Sequence, residues 1–426
     1  MKKIFIEDLQ GMTGEVLGIT GWIHKIQKLK TAGFFQLRDA TGLVQVVCDP
    51  EVAEALRLET PVEVVGQVVG TERQDAGVEI HLHKIEVLAE VAYDLLPFSI
   101  NGRTVEAGLE KQLDVRTMSL RRPRTRDVFR IEQEIVTAFR DFLIERRFSE
   151  IHTPKIIDAA TEGGSEVFTV DYFGQRAFLA QSPQFYKQMM VGAGFERVFE
   201  VGHAYRAELH ATQRHLNEYV SLDVEMGFLR DEKELMDLEE SLLFAIFDRL
   251  EVTCQTQLNR LCSIVPERKS FPRIPMSQAK ERLEAEGIRT GVTLNGAQEK
   301  RLGQIIEEET GSPFYFLTEY PLEKRPVYTY PGEDQGTSRS FDLIFRGMEI
   351  TTGGQRIHQY QDLYEGMVEA KMDPQSFGFY LDSFRYGMPP HGGFAIGLER
   401  LTMQLLKLDN IRQATLLPRD LHRLTP

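Results

Sequence analysis

Short runs of alternating apolar and polar residues fill the first ninety positions, and each predicts a half-buried strand. Residues 16–23 form one such run, 34–39 a second, and 43–48 a third after a Thr41-Gly42 turn. A short helical stretch at 51–58 precedes strand patterns at 62–69 and 78–87. Five strands with a helix between the third and fourth predict a Greek-key β-barrel of the OB type over residues 1–90. The same pattern also fits a small barrel without a ligand. Residues 91–125 mix polar, proline and basic positions, including Arg121-Arg122-Pro123-Arg124, and read as a linker or hinge.

From 126 to 426 the period lengthens. Residues 128–147 carry apolar side chains at helical spacing: Ile131, Ile135, Phe139, Phe142 and Leu143. Strand-like runs at 197–201, 219–225 and 340–345 stand among helical stretches at 232–251, 276–286 and 365–372. Runs of strands beside helices predict an α+β domain, a largely antiparallel sheet flanked by helices.

Composition narrows the function classes. Of 426 residues, 42% are hydrophobic and 27% charged, as in an ordinary globular protein with room for more than one domain. The formal net charge of −14 excludes a generally basic nucleic-acid coat, so any RNA contact uses local basic patches. No apolar run reaches the length of a membrane span. Acidic Glu7 and Asp8 come too early for a signal peptide. Cys48, Cys254 and Cys262 lack disulfide or metal spacing, which predicts a reducing cytoplasm.

Four segments carry candidate chemistry. At 392–401 a glycine-rich turn runs into an apolar-periodic helix bearing Arg400, where a forked cation can meet phosphate. At 199–208 a strand ends with Arg206 and Glu208, two apart and so on one face. The following loop holds Arg214 and His215 and returns as a strand with Asp223 and Glu225. At 181–188 Lys187 sits among polar and aromatic residues, a cation suited to a carboxylate, behind a Ser182 cap and a Pro183 first turn. At 341–356 Asp342 and Glu349 flank an Arg346-Gly347 turn, a carboxylate pair suited to Mg²⁺ beside phosphates, and Arg356 follows a glycine pair. Taken singly, each segment also has a plain structural reading: a packed helix start, a cross-strand ion pair, a capped helix, two solvated carboxylates.

Together and in this order, the segments resemble a class II aminoacyl-tRNA synthetase. Gly397-Leu398-Glu399-Arg400 resembles the third signature motif and Arg206-Ala207-Glu208 the second. The stretch from Phe139 through Phe148 to Pro154 resembles the first, which implies a homodimer. A barrel placed before the core is similar to the subclass handling aspartate, asparagine and lysine. Gln181 to Gln188 resembles its aspartyl members, in which the lysine and the arginine at position 356 meet the substrate's side-chain carboxylate. The span between Glu208 and Gly397 is too short for the extra domain of bacterial aspartyl enzymes, so the resemblance is to the compact archaeal type. Thr351-Thr352 stands where that group shows two serines.

The resemblance implies ATP and Mg²⁺ as cofactors and L-aspartate and tRNA(Asp) as partners, with no membrane. Arg206 and Arg400 are the implied catalytic residues, on the α- and γ-phosphates. The implied ATP site adds Glu208 on the adenine amino group, Arg214, His215, Leu216, Tyr219, Glu349, Gly397, Leu398 and Glu399. The implied aspartate pocket is Glu162, Ser182, Gln184, Lys187, Arg206, Asp223, Thr352 and Arg356. Asp342, Glu349 and Thr352 are the implied metal ligands. On the barrel, Phe34 is the implied stacking residue for an anticodon base and Gln45 the base-edge reader, with Lys25, Lys28 and Lys30 on phosphates. His24 stands where a bulkier aromatic accompanies strict use of tRNA(Asp). Its presence implies that tRNA(Asn) is charged too, with an amidotransferase partner to convert the product. Two alternatives stay open: an asparaginyl-tRNA synthetase, and a paralogue that binds tRNA or an amino acid without catalysis.

Overall fold

The computed structural model describes residues 4–71, 77–92, 95–102, 105–158, 166–210 and 212–426. The chain divides into two compact units, Met1–Pro123 and Arg124–Pro426.

In the first unit, β1 (Val16–Lys28), β2 (Gly33–Arg38), β3 (Leu43–Cys48), β4 (Pro61–Gly70) and β5 (Val78–Val87) close a barrel in the order β1-β2-β3-β5-β4. The helix α1 (Pro50–Ala55) lies between β3 and β4. Alternation puts Leu17, Ile19, Ile23, Val62, Val64 and Val68 inside, and closure leaves no free sheet edge. The β1–β2 register shifts between Ile23 and Lys25. Ile23 enters the barrel core, and His24, at the bulge, is buried against Arg38 instead. Two short helices, α2 (Leu109–Asp114) and α3 (Arg116–Ser119), stand within the stretch whose composition reads as linker.

The second unit opens with α4 (Pro123–Glu145), β6 (Ser149–Glu150), β7 (Ile156–Ile157), the hairpin β8 (Thr169–Tyr172) and β9 (Gln175–Leu179), and α5 (Gln184–Met190). Next come β10 (Arg197–Tyr205), β11 (Glu218–Gly227), α6 (Lys233–Thr253), α7 (Gln255–Leu261), β12 (Arg273–Pro275), α8 (Met276–Ala285), α9 (Gly296–Thr310) and β13 (Phe314–Thr318). It finishes with β14 (Ser340–Phe345), β15 (Met348–Arg356), α10 (Tyr360–Glu369), α11 (Gly378–Arg385), β16 (His391–Gly397) and α12 (Leu398–Leu406). Eight strands form one sheet, ordered β12-β13-β14-β15-β16-β11-β10-β6. The expected antiparallel pairing holds through the middle, but both outermost pairs, β12–β13 and β10–β6, are parallel. β12 and β13 are joined through α8 and α9, and β6 and β10 through β7, β8, β9 and α5, the long crossovers that parallel neighbours require.

Period-2 patterning gives the sheet two different faces. On β11, Leu222, Val224 and Met226 enter the apolar core, while Ser221, Asp223 and Glu225 point the other way and are just as buried. The apolar face is covered by α4 and α6. Phe139 of α4 meets Phe199 of β10 edge to face, ring centroids 5.6 Å apart; burying such a ring contributes about 2–3 kcal/mol. The buried polar face carries the site.

One expectation needs correcting. Residues 392–397 are not a turn before a helix but the central strand β16. The glycines serve strand packing: a Cβ on Gly393 would lie 2.0 Å from the carbonyl oxygen of Val224 and 2.3 Å from Glu225 Oε2. The Arg346-Gly347 turn stands as read, a two-residue hairpin loop with positive φ at both positions (49° and 74°), as a type I′ turn requires.

His391, the first residue of β16, is fully buried with Nδ1 2.9 Å from the carbonyl of Pro389. Burial is the largest influence on it and pushes its pKa from 6.5 down to about 4. Between those values the unfolded chain binds a proton that the folded chain refuses, so stability is complete above pH 6.5 and falls toward pH 4. The loss reaches about 3 kcal/mol. Urea unfolding midpoints measured from pH 7 to 4 should fall, and His391→Gln should flatten that fall. The same slope in the variant would contradict the assignment.

Candidate active site

A pocket of about 440 Å³ opens on the polar face of the sheet in the second unit. Its inner end is a buried ionic cluster. Lys187 of α5 places Nζ 3.0 Å from Asp223, 3.4 Å from Glu225 and 3.3 Å from the carbonyl of Val224. Arg356, at the end of β15, donates through Nε to Glu225 at 3.4 Å and through NH2 to Gln184 Oε1 at 3.3 Å and Gly393 O at 3.2 Å. Gln184 Nε2 closes the ring on Glu225 at 3.4 Å. Two cations and two carboxylates balance, which is how such charges survive burial. Glu225 sits between the cations; the sequence places it on the strand with Asp223 but not in the implied aspartate pocket. Its place two residues after Asp223 on one strand face was the available signal.

The wider end is built from β10, β11, the hairpin β14–β15 and α12. β10 stops at Tyr205, so Arg206 and Glu208 lie just beyond the strand; both still line the pocket, 3.8 Å apart. The backbone around Arg206 is fixed by Asn217, which accepts from its N–H at 2.9 Å and donates to its carbonyl at 2.7 Å. Arg214, His215, Leu216 and Tyr219 follow along the wall. Burial first, then Arg400 and Arg214, pushes the His215 pKa down to about 4. His215 is therefore neutral at pH 7 and offers hydrogen bonding but no charge. Leu216 and Tyr219 join Ile411 and Met403 in an apolar cluster, a surface for a flat ring.

Arg400 of α12 reaches Glu349 O at 3.2 Å and Glu349 Oε1 at 3.4 Å, and Thr352 Oγ1 donates to Glu349 Oε1 at 3.3 Å. The three groups converge where a chelated phosphate chain would sit. Asp342 is not on the pocket wall. It is buried behind, 2.9 Å from Arg325, which takes its place on the lining. Burial is the largest cause raising the Asp342 pKa, opposed by Arg325 and reinforced by Glu349. Among the described residues no group of three or more His, Cys, Asp and Glu side chains could hold a metal ion. Glu349 with Thr352, supplemented by substrate phosphate oxygens, still fits Mg²⁺, which takes few protein carboxylates.

Other predicted residues are corrected by their placement. Glu399 lines the pocket, but both its oxygens accept from Val220 N at 3.0 and 3.1 Å, and burial lifts its pKa to about 7. It holds β11 to α12. Leu398 belongs to the apolar core instead of the pocket. Ser182 Oγ accepts from Gln184 N at 3.3 Å, with Pro183 as the residue before the helix instead of its first turn. Glu162 lies outside the described residues. Arg325, Tyr328 and Thr329, which also line the pocket, come from an aperiodic segment that gave no sequence signal.

On the barrel, Phe34 is half-buried on the outer face and Gln45 lies two strand positions from Val47, which pairs with Phe34. Gln45 Nε2 donates to Glu79 at 3.1 Å. Lys25, Lys28 and Lys30 are exposed. His24 is buried outside the barrel core, where Nδ1 sits 2.8 Å from Arg38 NH1. Arg38 can only donate, so Nδ1 accepts and Nε2 carries the proton. Arg38 also grips Glu59 with two hydrogen bonds, at 2.9 and 2.6 Å.

Residues 108–421 match the tRNA synthetases class II (D, K and N). The chain belongs to this family. Residues 18–88 match the OB-fold nucleic acid binding domain. The aspartate–tRNA(Asp/Asn) ligase of Thermus thermophilus is 45% identical, the alignment covering 100% of both chains. The aspartate–tRNA(Asp) ligase of Pyrococcus abyssi is 41% identical over 99% of this chain and 98% of its own. Among solved structures, the asparaginyl-tRNA synthetase of Pyrococcus horikoshii in complex with asparaginyl-adenylate superposes with a TM-score of 0.93 at 29% identity, covering 100% of both chains. The shared fold thus spans both amino-acid specificities, and the pocket must decide between them. No described helix is long and apolar enough to cross a membrane.

Proposed function

We propose that the chain is an aspartate–tRNA ligase that activates L-aspartate with ATP and charges tRNA(Asp) and tRNA(Asn). The observation that carries this is the pair of buried cations, Lys187 and Arg356, at the closed end of the pocket. A side-chain carboxylate can accept a charge-assisted hydrogen bond on each of its two oxygens, one from each cation; an amide offers one neutral acceptor and would point an N–H at a cation.

In the first step an oxygen of the α-carboxylate attacks the α-phosphorus of ATP. The bond to the bridging oxygen breaks and pyrophosphate leaves. The chain contributes position and charge, not a nucleophile. Arg206 meets the α-phosphate, and Arg400 and Arg214 the far phosphates. Tyr219 stacks on the adenine and Glu208 accepts from its amino group. Gln184 and Ser182 orient the substrate beside Lys187. Glu349 and Thr352 would hold Mg²⁺, and Asp342, buried behind them against Arg325, adds a further carboxylate. Bound there, the ion supplies charge neutralisation of the phosphates. In the second step a hydroxyl of the terminal tRNA adenosine attacks the acyl carbon and AMP leaves.

Phe34 and Gln45 read the anticodon. The compact His24–Arg38 pair leaves room where a larger ring would restrict the last anticodon base. The Asp-tRNA(Asn) product passes to an amidotransferase. The segment around α4 and β6 forms a homodimer face, and the enzyme works in the cytoplasm. Purified tRNA(Asp) and tRNA(Asn) transcripts test the tRNA reading: both should be aspartylated within about tenfold of one another. An inert tRNA(Asn) at high enzyme concentration would show strict use of tRNA(Asp).

A further inference from the structure

A second polar chain runs behind Lys187, away from the pocket. Gln188, its neighbour on α5, is fully buried and points to the far side. Tyr380 Oη of α11 donates to Gln188 Oε1 at 2.9 Å. Gln188 Nε2 lies 2.7 Å from His391 Nε2, and His391 Nδ1 lies 2.9 Å from Pro389 O. The proton positions follow. A carbonyl only accepts, so Nδ1 carries the imidazole proton and Nε2 accepts from the Gln188 amide. Tyr380 and His391 are also fully buried, and the Tyr380 ring stacks on Phe185 with centroids 4.1 Å apart. Neither Gln188, His391 nor Tyr380 lines the pocket.

Two members of this chain, Gln188 and His391, stand on the elements that carry the two cations. Gln184 and Lys187 share the short helix α5 with Gln188. On the other side His391 pairs in register with Arg356, and Gly393, two residues further along β16, gives its carbonyl to the Arg356 guanidinium. The hydrogen-bonded chain therefore joins the helix that carries Lys187 to the strands that hold Arg356. Buried and saturated, it resists sliding of one element past the other.

We propose that the Tyr380–Gln188–His391 chain fixes the distance between Lys187 and Arg356, and so sets the length of dicarboxylate that the pocket accepts. The inference rests on the reading of these two cations as the aspartate side-chain site. A snug pocket discriminates one methylene by about 10–200-fold, and a looser spacing gives up part of that factor. These three are positioning residues, since none touches the reacting atoms.

The test is ATP–pyrophosphate exchange by the full chain, with the concentrations of aspartate, glutamate and ATP varied separately. Gln188→Met keeps length and loses both hydrogen bonds. It should raise the aspartate KM about tenfold, the size of one lost buried hydrogen bond. It should narrow the preference for aspartate over glutamate by a similar factor and leave the ATP KM within about twofold. Tyr380→Phe, which keeps the stacked ring, should move the same quantities less, and it carries the test if Gln188→Met fails to fold. His391→Gln, which restores an acceptor for the Gln188 amide, should stay near the parent. An unchanged aspartate KM in a folded Gln188→Met or Tyr380→Phe variant would overturn the proposal, as would equal rises in the aspartate and ATP KM. Lys187→Met separates the two levels. If it too leaves aspartate binding intact, the pocket reading itself fails; if it alone abolishes binding, only the positioning role does.

Discussion

Arg400→Ala should lower adenylate formation by about a thousandfold, and Arg206→Ala by a comparable factor, with the fold intact. Removing one fixed donor from a site where charge develops costs about 10²–10³ in rate, and a loose phosphoryl transition state depends on little else. The structure explains why the fold survives. Among the described residues the Arg400 side chain hydrogen-bonds to Glu349, at 3.2 and 3.4 Å, on the pocket wall. Arg206 is anchored by its backbone to Asn217, which truncation of the side chain leaves alone. Exchange kinetics paired with thermal melting measure this. Near-parent exchange in either variant would remove that arginine from the phosphate site.

Lys187→Met should lower kcat/KM for aspartate by a hundredfold or more. The side chain is 2% exposed and touches Asp223 and Glu225, which are 2% and 0% exposed. Breaking a buried pair by removing one partner costs about 3–5 kcal/mol, and here it strands two carboxylates with Arg356 alone among the cluster's cations. Part of the cost will appear as lower stability and part as lost aspartate binding, so urea unfolding must accompany the kinetics. The ATP KM should change little, because Arg206 and Arg400 lie at the other end of the pocket. A loss confined to ATP would contradict the assignment.

Much of this site could be read in the sequence because it lies on regular elements. Asp223 and Glu225 alternate with Leu222 and Val224, and period-2 spacing alone sends the carboxylates to one face. The Arg346-Gly347 turn was legible from Gly347, since glycine takes positive φ without steric cost; the positive φ of Arg346 had no such signal. The misreadings have physical causes. Glycines at 392 and 393 signal a turn when read locally, yet they are needed where β11 and β15 crowd β16 from both sides. His24 is buried against Arg38, a partner on the next strand that local pattern does not reveal. Glu399 lines the pocket, and the hydrogen bond it accepts from Val220 had no sequence signal, because only the fold lays β11 beside α12. The Arg325 partner of Asp342 had no sequence signal, because only the fold brings the two together. The parallel outer strands could not be inferred, because pairing direction depends on crossovers and not on local pattern.

The most direct measurement is ATP–pyrophosphate exchange by the unaltered chain with aspartate and with asparagine as the only amino acid. The account predicts exchange with aspartate, and with asparagine a rate lower by at least about a hundredfold. Equal rates, or a preference for asparagine, would contradict the assignment of Lys187 and Arg356 and with it the proposed function.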